Sequence, residues 1–240
     1  MSGTALRSAA RTAVVWDALR DVLGEGGGLS VVDVGGGTGG FAVRVAELGH
    51  RVTVVDPNPD ALAILARRAE ESGVAGLVSA HQGDLDGLRD LVPGGSADAV
   101  LCHGVLEIVE DPAIALGGIA DVLRPGGTLS LLVNQRHAAV VTRAMAGHFA
   151  QARALLDDAG AGTGSGRRFT VDEVTALLGT AGFDTVALHA IRVFVDLVPS
   201  SLVDLEPGAA GALVELERAV ATRPEYLPLA TQVHALATRR

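Results

Sequence analysis

The sequence predicts an α/β fold in which helices cover both faces of a mostly parallel sheet. Short apolar segments alternate with longer amphipathic ones along most of the chain, which is the pattern of repeated βα units. Hydrophobic residues make up 48% of the sequence, but aromatic residues only 3%. The core must therefore consist mainly of Ala, Val and Leu, which suits a buried parallel sheet.

The spacing of apolar residues and of Gly and Pro places each element in order. The predicted strands cover 29–34, 51–55, 77–81, 97–102, 128–133, 183–195 and 230–238. The predicted helices cover 5–23, 38–48, 60–72, 85–91, 113–123, 138–156, 170–181 and 213–222. Thr170, with Glu173 three residues later, predicts a capping box at the start of one helix. Residues 124–127, Arg-Pro-Gly-Gly, predict a turn.

Residues 134–169 interrupt this alternation. A helical segment there leads into a stretch over 157–166 that is rich in Gly and Ala. We interpret 134–169 as an insertion over the active-site edge of a single domain that spans 1–240, with the helix over 5–23 at its amino terminus.

Charge and residue usage exclude several classes of protein. The net charge of −9 argues against broad non-specific binding to nucleic acid, which needs a basic surface. Cys102 is the only cysteine, so an intrachain disulfide is excluded. No apolar run is long enough to span a membrane and no signal-peptide pattern is present, so we expect a cytoplasmic protein. The histidines lack metal-ligand spacing, and we expect no metal.

The strongest local signal is the loop over 33–40, which follows the first strand. Its glycines permit a sharp turn and let a ligand lie against the backbone. The dinucleotide pattern G-x-G-x-x-G is met by Gly35, Gly37 and Gly40. The second pattern, acid-x-G-x-G-x-G, is typical of methyltransferases and is met by Asp33, Gly35, Gly37 and Gly39. Asp56, at the end of the second strand, is spaced to accept hydrogen bonds from ribose hydroxyls under either interpretation. A third interpretation is that the loop is a plain tight turn that binds no ligand.

Three further features resemble the class I S-adenosylmethionine (SAM)-dependent methyltransferases. Gly83-Asp84 follows the third strand, and the run Leu-Arg-Pro-Gly-Gly over 123–127 precedes the fifth. A late hairpin, formed by the strands over 183–195 and 230–238, resembles the antiparallel seventh strand of that class. The resemblance implies a Rossmann-like sheet of seven strands with an antiparallel last strand, and SAM as the cofactor. A nicotinamide-dependent dehydrogenase is the alternative, although no hydride-transfer set is recognisable.

A narrower resemblance covers nearly the whole chain from Arg11 onward. Five segments are similar to the family of bacterial tRNA 5-carboxymethoxyuridine methyltransferases, which methylate a carboxylate on a wobble uridine. They are the segment over 102–112, the loop over 33–39, the run over 191–196 and the tail segments 216–218 and 223–226. Arg11, five residues before Trp16, also matches that family.

The resemblance implies a set of functional residues. The residues expected to bind SAM, released as S-adenosylhomocysteine, are Arg11, Asp33, Gly35, Gly36, Gly37, Gly39, Asp56, Pro57, Gly83, Asp84, Leu85 and His103. Arg192 is expected near the acceptor, where a guanidinium can orient a carboxylate through two hydrogen bonds. His103 is the candidate base if the acceptor is a hydroxyl or an amine.

The acceptor stays open at this point. The family's lysine-rich run is replaced here by Leu-Leu-Asp-Asp-Ala-Gly over 155–160, and its Arg-Tyr pair by Thr231-Gln232. Binding of tRNA would need a positive patch that includes Arg136, Arg143, Arg153, Arg167 and Arg168. A methyltransferase of a small metabolite and a non-catalytic domain that binds SAM or a partner are the alternatives. The chain could be a monomer or a homodimer.

Overall fold

A computed structural model describes residues 3–157, 166–199, 202–203 and 208–240, without the side chains of 3–11 and 157. The strands are β1 (Ser30–Val34), β2 (Arg51–Asp56), β3 (Val78–Gln82), β4 (Ala97–His103), β5 (Leu123–Asn134), β6 (Phe183–Ile191) and β7 (Gln232–Arg239). The α-helices are α1 (Gly3–Leu23), α2 (Ala42–Glu47), α3 (Pro59–Glu71), α4 (Leu88–Leu91), α5 (Pro112–Val122), α6 (Arg136–Met145), α7 (Phe149–Asp157), α8 (Val171–Thr180) and α9 (Ala209–Val220).

The seven strands form one sheet in the order β3-β2-β1-β4-β5-β7-β6. The pairs β1–β2, β1–β4, β2–β3 and β4–β5 are parallel, and the last strands are antiparallel. This confirms the predicted Rossmann-like fold. Most residues of strands β1 and β4 are aliphatic and most are buried, as expected for strands covered on both faces.

The register of the sheet aligns three strand ends. Val34 at the end of β1 pairs with Val55 on one side and with Cys102 on the other. The next residue in each of the three strands lies at the same edge of the sheet, where parallel α/β folds bind ligands.

Two of the earlier elements differ from the sequence prediction. The helix predicted from residue 38 begins only at Ala42, because the preceding glycines adopt conformations that no helix contains: Gly39 has φ +80°. Residues 124–127, predicted as a turn, lie within β5 as a bulge: Ala97 pairs with Leu123, but Ala99 pairs with Thr128.

Two later elements also differ. The helical segment predicted over 138–156 is split into α6 and α7 at Gly147, which has φ +78°. The strand predicted over 183–195 ends at Ile191. By contrast, the capping box of α8 is confirmed: the Glu173 amide donates to Thr170 Oγ1 at 3.2 Å, and the Thr170 amide donates to Glu173 Oε2 at 2.8 Å.

The chain divides into two compact units. The glycine-loop unit comprises Arg20–Leu132, Thr175–Ala187 and Ala235–Arg240, and the Arg192 unit comprises Met1–Leu19, Val133–Val174 and Leu188–His234. The single domain over 1–240 and the role of 134–169 as an active-site insertion stay predictions. Within the described residues, none of the helices combines the length and the apolarity that crossing a bilayer requires.

Candidate functional site

The glycine loop wraps around a buried carboxylate. Asp33 is the fourth residue of β1 and is 3% exposed. A Cβ added to Gly36 would lie 2.6 Å from Asp33 Oδ2 and 2.9 Å from Val54 Cγ1, both closer than real Cβ contacts. Only glycine therefore lets the loop pass this close to the carboxylate, which explains the residue at position 36.

Asp56 joins the glycine loop to the end of β2. The amide of Gly37 donates to Asp56 Oδ2 at 2.8 Å, and the amide of Asn58 donates to Oδ1 at 2.9 Å. Gly37 reaches this position with φ +53°, a conformation that glycine adopts without steric cost. Each carboxylate oxygen keeps a second lone pair, so Asp56 can fix the loop and also accept hydrogen bonds from a ligand.

A cavity of about 570 Å³ opens at the aligned strand ends of the glycine-loop unit. It is lined by Val34, Gly35, Val55, Asp56, Pro57, Asp84, Leu85, Asp86, His103, Gly104, Val105, Ile108, Val109 and Glu110. Its volume lies within the range of small-molecule sites. Four lining residues are acidic and none is Lys or Arg. This lining suits a ligand that brings hydroxyl, amino or ammonium groups and disfavours the pyrophosphate of a dinucleotide.

Asp33 directly precedes Val34, which lines this cavity, and its environment favours the neutral form of its carboxyl group. Burial first, and then the negative charge of Asp56, raise the pKa of the Asp33 carboxyl to about 7. A ligand cation at the glycine loop would reverse this effect by stabilising the carboxylate. The residues at the loop therefore fit the ammonium group that SAM carries.

His103 forms one wall of the cavity at the end of β4. Its Nε2 lies 2.8 Å from Ser130 Oγ, and its ring meets that of Phe41 edge-on at 4.8 Å between centroids. Burial lowers the pKa of His103 to about 4. The imidazole is therefore neutral at physiological pH, and it is a weak base because so low a pKa gives little driving force for taking up a proton.

The structure brings most of the sequence-predicted cofactor residues to one place. The predicted residues that line the cavity are Gly35, Asp56, Pro57, Asp84, Leu85 and His103. Gly36, Gly37, Gly39 and Gly83 lie in the same loops without lining it, and Asp33 lies near the end of β1, also outside the lining. Arg11 is in α1, but its side chain is outside the described residues. Asp84 also accepts a bond from the amide of Gly87 at 3.1 Å, so it stabilises its own turn.

Sequence reasoning missed most of the segment that follows β4. Gly104, Val105, Ile108, Val109 and Glu110 line the cavity, and Ile108 is 76% exposed. The signal was present: these residues follow a strand whose neighbours carry the glycine loop and Asp56, and the carboxyl ends of parallel strands share one edge.

Arg192 follows β6 rather than lying within a strand, which corrects the sequence prediction. It has φ +61° and is the one non-glycine residue with positive φ in the described part of the chain. Its Nε and Nη2 contact Asp196 Oδ2 at 2.7 and 2.6 Å, and its Nη1 lies 3.4 Å from Gln232 Oε1. An ion pair with Asp196 therefore compensates the charge that the sequence alone left without a partner.

Glu217 of α9 holds the backbone that follows Arg192. Its carboxylate is 1% exposed and accepts hydrogen bonds from the amides of Val193, Phe194 and Val195 at 3.0, 2.8 and 2.8 Å. A buried carboxylate is tolerated here because three amide donors replace its hydration. Sequence reasoning assigned Glu217 no role.

The arginines proposed as a positive patch have different environments within the Arg192 unit. Arg136 is bound to both oxygens of Glu173 at 2.5 and 2.7 Å. Arg143 and Arg168 line a second cavity, whereas Arg153 is exposed on α7. Arg167 is half-buried and does not line that cavity.

Comparison with known proteins identifies relatives of this chain. Residues 32–131 match the family described as a methyltransferase domain. The tRNA 5-carboxymethoxyuridine methyltransferase of Escherichia coli (strain K12) is 31% identical over 240 residues, a match that covers 95% of this chain and 88% of that protein. A ubiquinone biosynthesis O-methyltransferase of Xanthomonas campestris pv. campestris (strain B100) is 36% identical over 120 residues, covering 50% of this chain and 49% of the other.

Solved structures share the fold. The crystal structure of an S-adenosylmethionine dependent methyltransferase from Mesorhizobium loti matches with a TM-score of 0.62 and 22% identity, over 96% of this chain and 100% of that one. At this identity the likeness extends to the fold alone.

Proposed function

We propose that this chain, which belongs to the SAM-dependent methyltransferases, transfers a methyl group to a carboxylate on a modified uridine of tRNA. Its membership in that family rests on 31% identity that covers 95% of the chain and 88% of the relative. The same match carries the proposal for the acceptor, because it extends far beyond residues 32–131, the part shared with methyltransferase domains in general.

In this proposal the predicted cofactor residues hold SAM in the cavity of the glycine-loop unit. Asp33 pairs with the ammonium group, Asp56 accepts bonds from the ribose hydroxyls, and Asp84 accepts a bond from the adenine amino group. The buried side chain of Leu85 supplies an apolar contact to the base. Arg11, Gly35, Gly36, Gly37, Gly39, Pro57, Gly83 and His103 complete the proposed set.

The weak basicity of His103 favours a carboxylate acceptor. Bound SAM supplies an electrophilic methyl group. A hydroxyl or amine acceptor must lose a proton during the transfer, and His103, with its pKa lowered to about 4, is poorly suited to take it. A carboxylate is already ionised near neutral pH and needs only desolvation and orientation. We assign orientation to Arg192, whose guanidinium the contacts to Asp196 and Gln232 fix in place.

The decisive experiment supplies tRNA that carries the carboxylate. The protein is incubated with SAM and with tRNA isolated from cells that make 5-carboxymethoxyuridine but lack the enzyme that methylates it. Nucleoside mass spectrometry should then find the methyl ester of that nucleoside. Parallel tRNA without the carboxymethoxy group is the control. Absence of methylation in the carboxylated sample, from protein that binds SAM, would refute the proposed acceptor.

The net charge of −9 favours a second candidate, a carboxylate on a small metabolite. Filter binding of total tRNA at low salt separates the two, because phosphate contacts are strongest there. Binding that weakens steeply with added salt supports tRNA, and undetectable binding supports the metabolite. Methyl transfer to either acceptor excludes a non-catalytic role.

A further inference from the structure

The helical hairpin formed by α6 and α7 carries positive charge in a chain that is negative overall. Residues 134–156 include Arg136, Arg143 and Arg153 but neither Asp nor Glu, although the net charge of the chain is −9. Arg136 is paired with Glu173. Arg143 and Arg153 are exposed, and neither forms an ion pair with any of the residues that the structure describes. The α6–α7 hairpin therefore presents positive charge that the fold does not neutralise.

A glycine turn holds the tip of the hairpin. Gly147 adopts φ +78°, and its amide donates to the Ala144 carbonyl at 3.0 Å. The amide of His148 donates to the Arg143 carbonyl at 2.9 Å, which completes the Schellman arrangement that ends α6. The next residue, Phe149, begins α7, and the two helices pack against each other. Backbone hydrogen bonds therefore fix the place from which Phe149 projects.

Phe149 is the exception among the aromatic residues of the chain. It is 71% exposed, whereas the other aromatic side chains are buried or half-buried. Met145, the last residue of α6, is 70% exposed, and Val141, one helical turn earlier, is exposed as well. Exposed apolar side chains that cluster at one place on a surface indicate a contact with another molecule.

Phe149 and Arg153 lie one helical turn apart, so their side chains project from the same face of α7. They line neither the larger cavity nor the smaller one of about 250 Å³. An aromatic ring beside a cation is the combination with which proteins bind single-stranded nucleic acid, because bases stack on the ring and the cation contacts phosphate.

The charge of the hairpin argues against a second copy of this chain as the partner. A symmetric dimer would place the same surface of both copies together. Arg143 and Arg153 of one copy would then face a hairpin that contains no carboxylate, and like charges repel each other. A polyanion with flat apolar groups matches both the charge and the exposed ring.

From these observations we infer that the α6–α7 hairpin is a docking surface for single-stranded RNA, in which an unpaired base stacks on Phe149 and the phosphate beside it contacts Arg153. The choice of RNA as the polyanion rests on the proposed function, which requires an RNA acceptor. The exposure of the ring and the unneutralised charge do not depend on it.

Fluorescence anisotropy with a labelled RNA of about ten uridines tests the surface, since single-strand sites take about 4–16 nucleotides. The whole protein is titrated at low salt, where phosphate contacts are strongest. Duplex RNA of equal charge is the comparison, because its phosphates are accessible but its bases are already stacked. The single strand should bind about tenfold more tightly than the duplex. Duplex binding as tight as single-strand binding would overturn the inference.

Two substitutions of Phe149 separate stacking from general apolar contact. Phe149→Leu keeps an apolar side chain but removes the ring, and it should raise the Kd for the single strand about tenfold. Phe149→Trp keeps an aromatic face and should bind at least as tightly as the wild type. Equal Kd values for the leucine and tryptophan variants would show that no base stacks at this position.

Arg153→Gln tests the phosphate contact through its dependence on salt. Loss of one contact should raise the Kd at low salt and reduce the slope of log Kd against log salt concentration by about 0.7. The matched control is Arg20→Gln, which removes the same charge from an exposed position on α1 and should leave the slope unchanged. The same slope in both variants would overturn the role of Arg153.

Sedimentation and methyl transfer, measured on the same proteins, distinguish the remaining outcomes. A wild-type dimer that Phe149→Asp dissociates would assign the hairpin to a second copy and overturn the inference. RNA binding that requires Phe149, without methyl transfer, would retain the docking surface and remove the proposed acceptor. Methylation of tRNA at the wild-type KM by the double variant F149L/R153Q would remove the docking surface and retain the proposed function.

Discussion

The glycine loop and the turn over residues 192–195, the Arg192 turn, both hold backbone in the left-handed region, but by different means. Gly37 adopts φ +53° without steric cost, and its amide reaches Asp56 only 19 residues away. Arg192 adopts φ +61°, which costs a non-glycine residue about 1–3 kcal/mol, and its carbonyl accepts from Thr231, 39 residues away. One conformation follows from residue type, and the other is imposed by the surrounding fold.

Loss of Glu217 should have the largest effect, because it would break the Arg192 turn. The substitution Glu217→Ala leaves three amides, those of Val193, Phe194 and Val195, without their acceptor. We expect the free energy of unfolding to fall by about 3–5 kcal/mol, measured by urea denaturation. Glu215→Ala, on the exposed side of α9 where Glu215 pairs with Arg218, is the control and should cost less than about 1 kcal/mol. Equal losses in the two variants would mean that Glu217 does not hold the turn.

The substitution Asp56→Ala is the corresponding test of the glycine loop. Asp56→Ala removes the acceptor for the Gly37 and Asn58 amides and the proposed acceptor for the ribose hydroxyls. Calorimetry should find that the Kd for SAM rises about 10- to 100-fold, since hydrogen bonds to a charged group are lost. Asp60→Ala changes an exposed carboxylate at the start of α3 and should leave the Kd unchanged. Binding of nicotinamide dinucleotide in place of SAM would contradict the assignment of this pocket.

The raised pKa of Asp33 predicts how the affinity of the glycine-loop cavity for S-adenosylhomocysteine depends on pH. Because its pKa is raised to about 7, the carboxyl is mostly protonated below that pH, and it must ionise to pair with a ligand ammonium. The affinity for S-adenosylhomocysteine should therefore rise at least about tenfold between about pH 5.5 and about pH 7.5.

The variant Asp33→Asn separates this effect from other titrations. It should bind more weakly at the upper end of the range and lose the pH dependence. Without ligand, a carboxyl whose folded pKa is raised stabilises the fold at low pH, and that contribution falls as pH rises from about 4 to about 7. Asp33→Asn should remove this decline in the free energy of unfolding. A wild-type pH profile of binding in the variant would show that Asp33 does not face the cofactor.

The difference between locally determined and fold-imposed conformations also explains which parts of the fold and the site could be predicted from the sequence. The succession of strands along the chain, the capping box at Thr170, and the carboxylates in the last residues of β1 and β2 and just after β3 follow from local patterns, so they could be predicted. The end of β6 at Ile191 could not, because it depends on Glu217 more than 20 residues away. The cavity that Arg143 and Arg168 line likewise brings together two segments that are distant in the sequence, near the bridge between Gln135 and Phe169.

The smallest expected effect isolates the backbone of Arg192 from its side chain. Arg192→Gly and Arg192→Ala both remove the guanidinium and its contacts with Asp196 and Gln232, and they differ only in the presence of Cβ. At φ +61° the Cβ is strained, so the glycine variant should be more stable than the alanine variant by about 1 kcal/mol in urea denaturation. At an ordinary helical or extended position the order would be the opposite, because glycine gains more entropy on unfolding. Greater stability of the alanine variant would therefore mean that residue 192 does not occupy the left-handed region in solution, and that Glu217 holds a turn of a different kind.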